Sequence, residues 1–215
     1  EDIISQELDH NFDHNIQSFR QVTLLEKKYV SYDGLNLSWE TLDGLIKHNG
    51  PIQDSVHEYN LSPEFNFNLK KCPSLEAQIA SISDDIAYIA HDFDDGIRSE
   101  ILSLKKLSKN NILFEFIDFD YLSSLDNKVA RNYFTRQVIN YLVLNLIKET
   151  ELRLKNSNLK SYDDIINSSE FYVGFSANIQ EKVTLMKSYL FEHFYTSDFV
   201  YNNRTHAETI LVFII

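Results

Sequence analysis

Between Pro73 and Gly96 the apolar residues Leu75, Ile79, Ile82, Ile86, Ile89 and Phe93 recur at alternating spacings of four and three. At roughly 100° per residue this gathers them into one stripe facing a core, the signature of an amphipathic helix. Pro73 and Ser74 open the segment, Glu76 sits where a helix dipole favours a carboxylate, and Gly96 closes it. Asp84, Tyr88 and Asp92, each four apart, fall on a second row about 120° from the stripe. Ala77, Ala80 and Ser81 flank that row.

The same periodicity predicts further helices. Residues 1–8, EDIISQEL, read as the tail of a helix, and NFDHN breaks it with Asp13 as cap of a second helix whose inner side carries Ile16, Phe19, Leu24 and Leu25. Ser38 to His48 forms a third helix, capped by Ser38 and stopped by Asn49, Gly50 and Pro51. Residues 52–71 have no clear period and read as a long loop or lid. Beyond Gly96 a helix is expected to continue from Ile97 to about Leu107, and Ile112 to Phe119 fits either a short buried helix or a strand. Lys128 to Leu154 is a long helix with Val129, Phe134, Val138, Leu142, Leu146 and Ile147 as its apolar positions. Asn178 to Tyr195 is another, through Ile179, Val183, Met186, Leu190 and Phe194, while Ser169 to Gly174 suits a strand or turn. The chain finishes on six apolar residues, Ile210 to Ile215, which fit a strand or helix edge or an altered natural terminus.

Composition supports this picture. Only five Gly and three Pro occur in 215 residues, too few for the turns of a many-stranded sheet, so a mostly helical chain is expected. The formal charge of −12, from 20 basic and 32 acidic residues, argues against a nucleic-acid surface, though not against a nucleotide bound through a metal. Cys72 is the single cysteine, which excludes an internal disulfide and a thiolate zinc cluster; it reads as a small buried hydrophobe, and the composition suits a reducing cytoplasm. No basic-then-apolar leader opens the chain and no apolar run approaches the roughly 20 residues of a membrane span, so a soluble protein with no membrane partner is expected.

One charge pattern stands apart. From Cys72 to Ile97 there are six acids (Glu76, Asp84, Asp85, Asp92, Asp94, Asp95) and no Lys or Arg. The row reads either as a solvated acidic face or as a site in which Asp84 points at a cation, with Tyr88 and Asp92 lining a polar pocket one and two turns on. His14, in the first turn of its helix, reads as a surface residue or as one near a bound anion; His48, at a helix C-terminus, reads as a dipole partner. Arg131 and Arg136 read as surface charge in preference to phosphate contacts.

Three stretches together, FDHN (Phe12 to Asn15), GLNLSWETLDGLIKHNGP (Gly34 to Pro51) and PSLEAQIASISDDIAYIAHDFDDG, resemble the bacterial deoxyguanosine-triphosphate triphosphohydrolase-like proteins of the HD superfamily. The resemblance is strong to about residue 100, weaker through the helix around Arg131 to Lys148, and absent in the last fifteen or so residues. It implies an all-α, HD-domain-like helical bundle lacking its N-terminal helices, with residues 1–107 in the catalytic core and 108–215 in a helical C-terminal region. It implies hydrolysis of a deoxynucleoside triphosphate to deoxynucleoside and triphosphate, dependent on a divalent metal ion such as Mg²⁺ or Mn²⁺, by a cytoplasmic homo-oligomer. By the same similarity Asp84 is a metal ligand, Tyr88 and Asp92 contact the substrate sugar, His14 approaches the phosphates as a candidate general acid, and His48 binds substrate.

The family's metal takes four ligands: a His, an adjacent His-Asp pair and a distant Asp. The first three belong before residues 1–8, so the metal is expected to be incompletely liganded here, with the missing N-terminal half supplied as a separate chain or lost. His91-Asp92 is no substitute, because adjacent helical residues point about 100° apart. The competing expectations are a catalytically inactive fragment, acting at most as a nucleotide-binding or oligomerisation module, and an acidic helical scaffold.

Overall fold

A computed structural model describes residues 2–7, 12–52, 67–110 and 113–214. It is all helical, as the scarcity of Gly and Pro implies, and no strand occurs among the described residues. In chain order the helices are α1 (Asp2–Glu7), α2 (His14–Arg20), α3 (Trp39–Ile46), α4 (Leu75–Arg98), α5 (Leu104–Leu107), α6 (Phe119–Ser123), α7 (Asn127–Asn156), α8 (Tyr162–Ile166), α9 (Ala177–Leu190) and α10 (Asp198–Ile214). Two π-helical turns, Gln21–Leu25 and Phe191–Tyr195, directly extend α2 and α9. The chain divides into two compact units: Glu1–Ser81 with Asn156–Val173 and Ile210–Ile215, and Ile82–Lys155 with Gly174–Thr209.

The first unit is built on Phe19, Leu42, Ile46 and Phe67. Phe67 takes Phe19 edge-on at 5.8 Å and Trp39 tilted at 5.0 Å between ring centroids, arrangements favoured by the aromatic quadrupole. Both expected caps are present: Asp13 accepts from the amides of Asn15 and Ile16, and Ser38 accepts from Thr41. Leu24 and Leu25, expected on the inner side of α2, are instead exposed. The π-helical turn that begins at Gln21 breaks the 3.6-residue period on which that expectation rested. Of the expected lid, residues 53–66 lie outside the described residues.

Two buried polar groups organise this unit. Gln78, on α4, donates to Pro73 O at 2.9 Å and accepts from the amides of Tyr172 and Val173 at 3.0 and 3.1 Å, so one side chain ties two distant segments together. Cys72 is buried beside it, as expected of a small hydrophobe, and burial pushes its thiol up. On α3 and its C-cap, Asp43 and Lys47 form an ion pair at 2.7 Å with both side chains 3% exposed.

The second unit centres on Phe93, Phe114 and Phe134, with centroid distances of 5.3 to 5.9 Å. Helix α7 presents Ala130, Phe134, Val138, Leu142 and Leu146 at every fourth position, while Val129 and Ile147, expected among its apolar positions, are exposed. On α4 the expected stripe is buried at Ile86, Ile89 and Phe93 but not at Ile79, which is 47% exposed, Gln78 being the buried residue there.

Two expectations are corrected. The helix does not run on to Leu107: Ser99 Oγ donates back to Asp95 O, Glu100 adopts a left-handed φ of 61°, and Ser103 caps a new helix, α5. Residues 113–118 are irregular, neither helix nor strand, although Leu113, Phe114 and Ile117 are buried; α6 starts only at Phe119, capped by Asp118. For residues 169–174, read as a strand or turn, the turn alternative holds: bends occur at 169–170 and 172–173. The apolar C-terminus continues helix α10, in which no residue is buried.

Two stability predictions follow from the first unit. Gly34 has φ +72°, and a Cβ there would lie 2.5 Å from the carbonyl oxygens of Val22 and Thr23. Gly34→Ala is expected to destabilise by about 2 kcal/mol or more, read from urea unfolding. Asp43→Ala strands a buried ammonium and is expected to destabilise by about 3–5 kcal/mol, whereas Asp43→Ala combined with Lys47→Met recovers most of that loss.

Candidate functional site

Burial of Ile86, Ile89 and Phe93 fixes the rotation of α4 and turns Asp84, Asp85 and Tyr88 outward. In the second unit these three line an open cleft of about 570 Å³ together with Lys187 from α9 and Phe191 and Tyr195 from the π-helical turn. Lys187 Nζ donates to Asp85 Oδ1 at 2.8 Å, both side chains being about half exposed.

Tyr195 links the cleft to Asp92. Its hydroxyl donates to Asp92 Oδ2, and its ring centroid lies 6.3 Å from that of Tyr88. Burial pushes the Asp92 carboxyl above the usual carboxylate range, opposed by the hydroxyl of Tyr195. Burial, and then the Asp92 carboxylate beside it, pushes the Tyr195 phenol far up, so it stays a donor at neutral pH. Thus two of the row residues read from sequence, Asp84 and Tyr88, meet in one cleft, and Asp92 adjoins it through Tyr195. His14, exposed in the first turn of α2, and His48, half-buried beyond α3, belong to the first unit.

The absence of Lys and Arg from Cys72 to Ile97 left these acids in need of a counter-charge. Arg98, the last residue of α4, lies 2.6 Å from Asp95, and other helices supply more: Lys187 of α9 faces Asp85, and Arg131 of α7 lies 3.0 Å from Asp94. Arg131 is therefore a partly buried ion-pair member, not free surface charge. Lys187 and Tyr195 are the functional candidates that sequence reading missed. They lie about a hundred residues beyond Asp85 and Asp92, and only their places next to Met186 of α9 and Phe194 of the π-helical turn hint at their neighbours.

Among the described residues no group of three or more His, Cys, Asp or Glu is placed to hold a metal ion. The cleft offers the carboxylates of Asp84, Asp85 and Glu192, of which Asp85 is engaged by Lys187. A catalytic metal normally takes about three protein ligands, so these residues alone do not fit one. No helix among the described residues is long and apolar enough to cross a membrane.

Comparison with known proteins gives long alignments. A Brucella ovis protein is 35% identical over 225 residues, covering 98% of this chain and 56% of the relative. A Bartonella quintana protein is 36% identical over 227 residues, with the same coverages, and one from a Bradyrhizobium species is 37% identical over 210 residues, covering 94% of this chain and 54% of the relative. All three are named deoxyguanosinetriphosphate triphosphohydrolase-like protein. The chain is homologous to the deoxyguanosinetriphosphate triphosphohydrolase-like proteins. It spans about half the length of these relatives, and no family model matches it. The stretches that carried the resemblance in sequence therefore sit within a similarity that extends over nearly the whole chain.

The electrostatics of Asp92 are directly measurable. Because its folded pKa is raised, this group favours the folded state below its unfolded pKa, and that contribution is lost as pH rises through the folded value. Carboxyl ¹³C titration is expected to place Asp92 above an ordinary aspartate, and Tyr195→Phe, which removes a donor to the charged form, to move it higher still.

Proposed function

We propose that the chain is part of a metal-dependent dNTP triphosphohydrolase, converting a deoxynucleoside triphosphate to deoxynucleoside and triphosphate. The observation that carries this reading is the 35–37% identity to triphosphohydrolase-like proteins over 94–98% of the chain, which includes the row Asp84, Tyr88 and Asp92. In this reading residues 1–107 belong to the HD-type catalytic core and 108–215 to a helical C-terminal region of a homo-oligomeric, cytoplasmic enzyme.

Each residue has an assigned task. Asp84 is one ligand of a divalent ion, Mg²⁺ or Mn²⁺, whose remaining ligands come from outside the described residues. Tyr88 supplies an exposed aromatic face and a hydroxyl to the deoxyribose, and Asp92 a carboxylate acceptor. A water oxygen bonds to the α-phosphorus as the bond from that phosphorus to the 5′-oxygen breaks, and the departing oxygen needs a proton; His14 is the candidate donor. His48 is a further substrate contact. A divalent ion held in part by Asp84 would supply Lewis-acid activation of the phosphate.

The test is hydrolysis of all four dNTPs with Mg²⁺ or Mn²⁺, by the chain alone and by the chain mixed with the remaining half of the Brucella ovis relative. Deoxynucleoside and triphosphate are expected only from the mixture, and Asp84→Ala is expected to abolish them. A mixture inert towards every dNTP sinks the catalytic reading. If dNTP then raises the melting temperature without turnover, the chain is a nucleotide-binding module instead.

A further inference from the structure

Tyr195 has no task in the proposed chemistry, yet it is the residue through which the cleft reaches Asp92. Its position depends on the π-helical turn Phe191–Tyr195, closed by the amide of Thr196 donating to Phe191 O at 3.3 Å. Such turns are concentrated at functional sites because they re-aim side chains that a regular helix would place elsewhere. The re-aimed phenol donates to Asp92 Oδ2, with the Tyr88 ring 6.3 Å from its own between centroids. A carboxylate accepts at about four lone-pair positions, so the Tyr195 phenol orients it and leaves capacity for a further donor.

The chemistry of the substrate says what that donor is. A deoxynucleoside 5′-triphosphate has no 2′-hydroxyl and its 5′-oxygen is esterified, so the 3′-hydroxyl is the only free sugar donor. We infer that Tyr195 is a positioning residue that fixes the Asp92 carboxylate so that it accepts the 3′-hydroxyl of a bound deoxynucleotide. The inference rests on the proposed sugar contact of Asp92. An Asp92 carboxyl released from Tyr195 keeps its charged neighbours on α4, His91 and Asp95, but loses the donor that crosses from the other element. Hydrogen bonds to charged groups are among the stronger ones, and the orientation this one imposes is expected to be worth about tenfold in affinity.

The experiment is calorimetric titration of the chain with deoxyguanosine 5′-triphosphate and with its 2′,3′-dideoxy analogue. The wild type is expected to prefer the 3′-hydroxyl by about tenfold, and Tyr195→Phe to reduce that preference to about twofold or less without weakening the dideoxy analogue. In an Asp92→Asn background the Tyr195→Phe change is expected to have no further effect on the preference, which marks Tyr195 as acting through Asp92. A Tyr195→Phe protein that melts normally and keeps the full preference overturns the positioning role while leaving the sugar contact standing. Equal affinity of the wild type for the two nucleotides overturns the sugar contact and this inference with it. Should Tyr195→Phe fail to fold, the wild type and Asp92→Asn are compared: a preference that survives in Asp92→Asn overturns the inference.

Discussion

The rotation of α4 about its own axis is the constraint on which the cleft depends. Successive residues on a helix are separated by about 100°, so once Ile86, Ile89 and Phe93 are buried, every other direction is decided. Phe93 is held by Phe114 and Phe134, and substituting one of these aromatic rings changes volume at the point where the helix is gripped. The outward face is then occupied by Asp84, Asp85 and Tyr88 as a matter of geometry. Hydrophobic packing, not attraction between the polar groups, brings them into one cleft.

That is also why so much of this region was legible in the sequence. The spacing of apolar residues on α4 reports burial directly, and the row Asp84, Tyr88, Asp92 follows from it by counting. Caps were equally readable at Asp13 and Ser38, because a short polar side chain before an apolar run has a local mechanism. What could not be read were the interactions made between separate segments. Nothing in the composition near α4 announces that Lys187 and Arg131 return to it, or that Tyr195 bonds to Asp92. The π-helical turns were illegible for a different reason: they shift the period by one residue over a single turn, too briefly to register as a pattern, and Leu24 and Leu25 were misplaced as a result.

Electrostatically the chain distributes its charge unevenly. A net −12 is carried by a molecule that nonetheless places cations against three of the α4 aspartates, two of those cations on other helices. The exposed pair Lys187–Asp85 contributes little to stability, since two half-solvated charges gain modest Coulomb energy and are screened by salt. Its consequence is local: at the cleft it engages the carboxylate of Asp85, next to Asp84 on the same helix.

The π-helical turn from Phe191 to Tyr195 bears on which changes of length the chain can absorb during evolution. Such a turn holds one residue more than the α-helical turn it replaces. Deleting one residue from it would let the hydrogen bonds close as an ordinary α-helical turn, with the chain beyond it nearly unrotated. A residue lost ahead of Phe194 would therefore leave Phe194, now 8% exposed, and Tyr195, now bonded to Asp92, facing the same surroundings. Homologues one residue shorter in this turn are therefore expected to be able to preserve the Asp92 contact.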